Sequence, residues 1–242
     1  MARPSGFSGI KALTFDTFGT VVDWRTSISR DFRAFAKRRK LQGIAWDALV
    51  DEWKTCYRPG MDAVNSGREP WTTIDRIYRR KLDELLPKYG LASLRDEERD
   101  YLNKVWHRLK PWPDSVAGLR RLRKKYVIAP LSNGDVACLT NMAKFGGLPW
   151  DLILCAELFQ RYKPDPAVYL GAIRLLGLKP GEVMMVAAHN YDLQNARSHG
   201  MRTGFVLRPT EYGPGQTKDL KAESDWDVVV RNFGQLASKL GA

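Results

Sequence analysis

No apolar run in this 242-residue chain approaches the ~20 residues needed to cross a bilayer, and the first ten residues lack the apolar segment of a signal peptide. No membrane association is expected. Cysteine is scarce: Cys56, Cys138 and Cys155 are odd in number, far apart and outside any CxxC spacing, which fits reduced thiols in a cytoplasmic protein. Zinc-finger spacings, RNP-like aromatic motifs and basic tails are missing too. Acidic residues are in deficit, 27 against 39 Lys and Arg, for a net charge of +12. The basic residues are spread over Arg38–Lys40, Arg79–Lys81 and Arg120–Lys125. The last two clusters lie opposite Ile77, Leu82, Leu119 and Leu122, so they read as solvated helix faces. That surplus suits a small anionic substrate, and no nucleic acid is expected as a partner.

What is present is an ordinary globular composition, 44% hydrophobic and 27% charged. "IKALTF", residues 10–15, predicts a buried strand closed by a turn at Gly19. Strand signal is then nearly absent from 27 to 110. The spacing there predicts helices over 28–40, 46–57, 72–89 and 96–109, with Ile74, Ile77, Tyr78, Leu82 and Leu85 recurring at three and four. Breaks are expected at Pro59-Gly60, Gly67, Pro87 to Gly90 and Pro111 to Pro113.

From Asp114 helices and apolar strands alternate. Strands are predicted at 126–133, 151–155, 182–188, 203–207 and 227–230. Helices are predicted at 114–125, 135–146, 166–176 and 192–199 and at the C-terminus. This predicts an α/β fold with a parallel sheet covered on both faces, into which a helical block is inserted after the first strand. Ligands of such sheets bind beyond the carboxyl ends of the strands. Four strand tips there carry polar residues: Asp16, Ser132-Asn133, Lys163 and Asp192. Each alone is explained by a turn, a cap or a surface lysine. Together, in one crevice, they make a plausible nucleophile, anchor, charge clamp and base.

The ordered motifs "FDTFGT", "LSNG", "KPDPAVY" and "NYD" resemble the haloacid dehalogenase superfamily, and within it the type II 2-haloacid dehalogenases. The resemblance implies a Rossmann-like core of residues 1–23 and 114–242 and an all-helical cap of residues 24–113. Phosphotransferases of the superfamily place a general acid two residues after the nucleophile, with Mg²⁺ nearby. Here that position is Phe18, and "VAAHNYD" lacks the paired acids usual for Mg²⁺. No metal or cofactor is therefore expected. Halide leaves as a weakly basic anion and needs no proton, so the lone carboxylate suits its displacement.

On this resemblance Asp16 attacks the halogen-bearing carbon of a short 2-haloacid, inverting it and forming an aspartyl ester. Water then releases the 2-hydroxy acid. Asp192 is expected to orient or deprotonate that water, and Lys163 to hold both acids ionised. Ser132, with backbone N–H groups of Thr17 and Phe18, is expected to receive the substrate carboxylate. Asn133 would serve the halide, and Thr20 would brace the Asp16 loop.

The familiar pattern has serine and asparagine where this chain has Ala187 and His189. His189 is a candidate donor to ester or water, or a partner for Asp192. The cap cation is not fixed: the segment "LVDEWKTCYRPGM" aligns Asp51 there, with Lys54 and Arg58 nearby. Trp24, Tyr57, Trp71 and Tyr191 are candidate pocket aromatics. Relatives often form homodimers, though no stripe here marks an interface. Two alternatives stay open, a phosphomonoester phosphatase of the same superfamily and a non-catalytic protein holding an acidic partner.

Overall fold

The computed structural model describes residues 6–242. The predicted core segment 1–23 therefore begins in residues that lie outside the described ones. Strand β1, Ala12–Phe15, is fully buried and runs parallel to β4 (Val127–Ser132) on one side and β6 (Val183–Ala187) on the other. With β5 (Leu154–Cys155), β7 (Arg202–Val206) and β8 (Val228–Val230), the sheet order is β5-β4-β1-β6-β7-β8, all pairs parallel. The chain builds outward through β4 and β5, then crosses back to β6. The order thus reverses around β1, and its carboxyl end opens on the switch point where such sheets bind ligands.

Burial on both faces explains the continuous apolar runs. Leu13 and Phe15 join Ile128, Met184 and Val186 on one face. There α6 (Ser115–Leu122), α7 (Val136–Gly146) and α10 (Phe233–Lys239) supply Leu119, Cys138, Leu139 and Phe233. Ala12, Ala129, Leu131 and Met185 face the other side, against Val168 and Tyr169 of α8 (Pro166–Leu175) and Leu193 of α9 (Asn190–Ser198). A one-residue slip of β1 would exchange the two sets, so register is fixed by packing. Each such Leu or Phe contributes ~1.5–3 kcal/mol through burial.

The inserted helices lie between two short antiparallel strands, β2 (Val22–Asp23) and β3 (Lys110–Pro111), which the sequence did not predict. They are α1 (Trp24–Arg39), α2 (Trp46–Lys54), α3 (Tyr57–Asn65), α4 (Ile74–Lys88) and α5 (Asp96–Asn103), the last running into a 3₁₀ turn at Lys104–Arg108. The expected break at Pro59-Gly60 is instead inside α3. Pro59 falls in the first turn, where no intrahelical N–H is needed. Gly60 lets α3 lie on α4, because a Cβ there would sit 2.4 Å from Ile77 Cγ2.

Trp106 ties this block together: its ring lies 4.1 Å from that of Tyr78, nearly parallel, and 5.5 Å from Trp53. The block is also pinned to the sheet. The N-cap residue Thr73 makes no side-chain capping bond among the described residues, and Asp135, in the loop after β4, accepts from Ile74 and Asp75 N–H at 3.2 and 3.1 Å instead. Asp135 thus caps α4 from a distant part of the chain.

Candidate active site

Asp16 follows β1, and its N–H donates to Val186 O of β6 at 3.0 Å. The chain then turns: Val21 and Val22 N–H both donate to Thr17 O, at 2.9 and 3.1 Å. Gly19, at φ +89°, makes the turn without the strain other residues would meet. Thr20 Oγ1 donates to Asp16 Oδ2 at 2.7 Å and accepts from Ala188 N–H at 2.9 Å, linking the turn to the end of β6. Thr17 Oγ1 is buried without a partner among the described residues.

Lys163 arrives on the loop before α8. Its N–H donates to Asn133 Oδ1 at 2.7 Å, and Asn133 Nδ2 donates to Lys163 O at 3.3 Å and lies 3.2 Å from Met61 Sδ. Asn133, expected at the halide, therefore spans two loops and fixes the lysine's backbone. Ser132 is also fully buried, its Oγ accepting from Gly134 N–H at 3.3 Å.

Lys163 Nζ reaches Asp16 Oδ1 at 3.1 Å and also pairs with Asp192 Oδ2. Asp192 Oδ1 accepts from Tyr169 OH at 2.6 Å. Burial pushes the Asp16 carboxyl up, but Lys163, His189 and Thr20 outweigh it and hold it well below the usual carboxylate range. Burial likewise works against the Lys163 ammonium, and the two acids more than reverse it. Asp192, wholly enclosed, is pushed upward by its burial despite the lysine.

His189 is not a partner of Asp192. Its Nδ1 lies 3.0 Å from Asp16 Oδ2, off the line of a good hydrogen bond, and its Nε2 lies 2.9 Å from Glu211 Oε2. Burial alone would favour neutral imidazole, yet Glu211 and Asp16 raise its pKa well above the ordinary value, which favours the imidazolium.

Above these groups is a cavity of about 400 Å³, lined by Asp16, Phe18, Lys54, Tyr57, His189 and Glu211, with Thr55, Arg58, Tyr191, Tyr212 and Lys218 around them. Of the expected site residues, Asp16, Phe18 and His189 meet the cavity. Thr17, Thr20, Ser132, Asn133, Lys163 and Asp192 are buried and do not line it. Phe18 packs edge-on against Trp106, ring centres 5.8 Å apart. Asp51, the aligned candidate for the cap cation, faces away and pairs with Arg25 at 2.8 and 2.7 Å. Lys54 is the cap lysine that lines the cavity. Its Nζ sits 3.6 Å from the Tyr57 ring centre and donates to Tyr78 OH at 3.1 Å, and burial brings its pKa down to about 8. Of the four candidate aromatics, Tyr57 and Tyr191 line the cavity. Trp24 lies behind it, and Trp71 stacks on Tyr162, ring centres 4.9 Å apart.

A family model for haloacid dehalogenase-like hydrolases matches residues 10–200. The chain belongs to this family. Among solved structures, an L-2-haloacid dehalogenase is 48% identical, covering 96% of this chain and 99% of its own, with TM-score 0.92. A defluorinating L-2-haloacid dehalogenase is 45% identical, with 96% of each chain covered and TM-score 0.93. The (S)-2-haloacid dehalogenase 4A of Burkholderia cepacia is 28% identical over 236 residues, 94% of this chain and 98% of that protein.

Within this family member, Glu211 is the residue that sequence reasoning missed. It sits five residues past β7, in a stretch without regular structure, and is 2% exposed. Its Oε1 accepts from Trp24 Nε1 at 3.1 Å. The same strand-tip criterion that selected Asp16, applied to "RPTEYGPGQ" after β7, would have brought it into view.

Proposed function

We propose that this family member hydrolyses short (S)-2-haloalkanoic acids, releasing halide and the 2-hydroxy acid of inverted configuration through an ester on Asp16. The observation that carries this reading is the pairing of Asp16 with Phe18 at the cavity floor. The carboxylate is held ionised by Lys163, His189 and Thr20, as a nucleophile requires. The phenyl ring two residues later offers no proton to a leaving group. That arrangement serves a leaving ion of low basicity. Lys54 beneath the cap gives an entering carboxylate a cation close to the nucleophile. The 48%- and 45%-identical dehalogenases support the same reaction, and the second places fluoroacetate among the substrates to try.

The test is ion chromatography of protein incubated with chloroacetate, fluoroacetate and each 2-chloropropionate enantiomer, with EDTA present. Halide release from the (S) enantiomer, abolished in Asp16→Asn and in a folded Asp16→Ala, is expected. Retained activity in Asp16→Ala would refute the nucleophile. Mg²⁺-dependent phosphate release from a phosphomonoester, without halide release, would support a phosphatase instead. The three free cysteines accord with the cytoplasmic setting we propose. The homodimer suggested by the resemblance is a separate proposal, read by sedimentation velocity.

A further inference from the structure

The second half of the reaction needs a group to take a proton from water, and the two candidates lie in different surroundings. Asp192 touches no solvent: Lys163 takes one carboxylate oxygen and Tyr169 OH the other. A water reaching it would have to enter a site closed to solvent. His189 lines the cavity beside Asp16. Its Nε2 is fixed by Glu211, whose other oxygen is anchored by Trp24. Its Nδ1 points to the region between Asp16 and the cavity without an aligned partner. Tyr191 lies against the ring, centres 5.9 Å apart, and limits its tilt. A side chain anchored at one nitrogen, with the other facing the nucleophile and the cavity, has the form of a general base with its orienting carboxylate.

We infer that His189, oriented by Glu211, is the base of ester hydrolysis, and that the proton it holds at rest leaves the protein during the halide-releasing step. This rests on the dehalogenase reading. At rest, the Nδ1 proton is held against the Asp16 carboxylate. An Asp16 oxygen then bonds to the substrate carbon as the carbon–halogen bond breaks, and its electron pair departs with the halide. The ester is neutral. The imidazolium has thereby lost one of its two anions, and the Nδ1 proton passes to bulk water.

In the second step the Nδ1 lone pair takes one hydrogen of a water whose oxygen bonds to Asp16 Cγ. The tetrahedral adduct collapses with cleavage of the bond from Cγ to the ester oxygen. The other water hydrogen ends on the departing hydroxy acid, the water oxygen stays in Asp16, and His189 is again imidazolium. One proton is released per turnover, all of it in the first step. Glu211 acts as a positioning residue. The groups facing the ring are Asp16 and Glu211, with Tyr191 on its face and Lys54, Tyr212 and Lys218 across the cavity.

The experiment is rapid mixing with excess (S)-2-chloropropionate, following protons with an indicator dye, halide by quench and chromatography, and the covalent ester by intact-protein mass. For the wild type, about one proton per site should appear with the first equivalent of halide. His189→Gln should release about one equivalent of halide, accumulate the ester and turn over ~10²–10⁴-fold more slowly. Glu211→Gln should keep the halide burst, and its rate of ester hydrolysis should reach a plateau at lower pH than the wild type's. A purely structural role for Glu211 would leave that profile in place.

Proton release that accompanies ester decay would overturn the inference, as would wild-type turnover in His189→Gln. A His189→Gln protein that melts like the wild type but gives no halide burst would overturn it as well, assigning His189 to the first step. Absence of halide from the wild type would instead overturn the dehalogenase reading itself.

Discussion

Gly19 and Glu211 come so close that a Cβ on the glycine would lie 2.1 Å from Glu211 Oε1. The nucleophile's turn and the carboxylate that holds His189 are therefore built against each other. Gly19→Ala would meet both this clash and a positive φ of +89°. Strain of this kind costs on the order of 1–3 kcal/mol, and relief requires Glu211 to retreat from His189. The variant should melt lower and lose turnover out of proportion to its loss of stability. Calorimetry with steady-state halide assays checks this; unchanged turnover would show that the contact is incidental.

Lys163 is shared by two buried carboxylates, so Lys163→Met leaves Asp192 without a cation and Asp16 with His189 alone. Breaking such a buried pair costs on the order of 3–5 kcal/mol. The sign with pH follows from Asp16. Its folded pKa lies below the ordinary 3.8, so the stability it contributes is present above about pH 4 and fades in more acid solution. The gap between wild type and Lys163→Met in urea unfolding should be largest at neutral pH and shrink toward pH 3. A gap that does not narrow would remove Asp16 as its source. In any residual activity, the acid limb should move to higher pH, because Asp16 then ionises later.

Lys54 is charged below its pKa of about 8 and progressively neutral above it. If it meets the substrate carboxylate, KM for 2-chloropropionate should be flat at lower pH and rise as pH passes through 8. Losing a charged hydrogen bond of ~1.5–3 kcal/mol corresponds to roughly a 10- to 100-fold rise. Lys54→Met should show that higher KM at every pH, with the break near 8 gone. A break that survives in the variant would belong to another group.

The sheet was legible because β1, β4 and β6 are apolar on both faces and their tips carry the few polar residues nearby. Asp16, Lys163 and Asp192 came together as expected for that reason. Local pattern did not extend to features set by distant contacts. Pro59 looks like a helix breaker unless its place in the first turn is known. Asn133 and Ser132 read as ligand donors, and the bonds their oxygens accept from Lys163 N–H and Gly134 N–H are not visible in the local pattern. Glu211 lies in a loop whose path depends on Arg208. That side chain donates to Thr20 O at 3.0 Å and pairs with Asp114 at 2.7 and 3.0 Å. The partners are about a hundred residues or more away in sequence, and no periodicity records them.

Asp135 gives a last prediction, one about stability. Its carboxyl caps α4 from outside the helix, and burial, with Asp75 and Glu157 nearby, pushes its pKa up to about 7. A carboxyl that binds its proton more tightly when folded stabilises the fold most below its unfolded pKa of 3.8, and this contribution declines as pH rises toward 7. Between pH 5 and 8.5 the decline spans roughly two pKa units, on the order of 2–3 kcal/mol. Asparagine has nearly the shape of the protonated acid and does not titrate. Asp135→Asn should therefore come nearest the wild type in acid solution and exceed its stability by more at pH 8.5 than at pH 5. Urea unfolding at the two pH values measures the difference directly. A variant that falls further behind at alkaline pH would mean that the ionised carboxylate is the better cap, its two N–H bonds outweighing the cost of burying the charge.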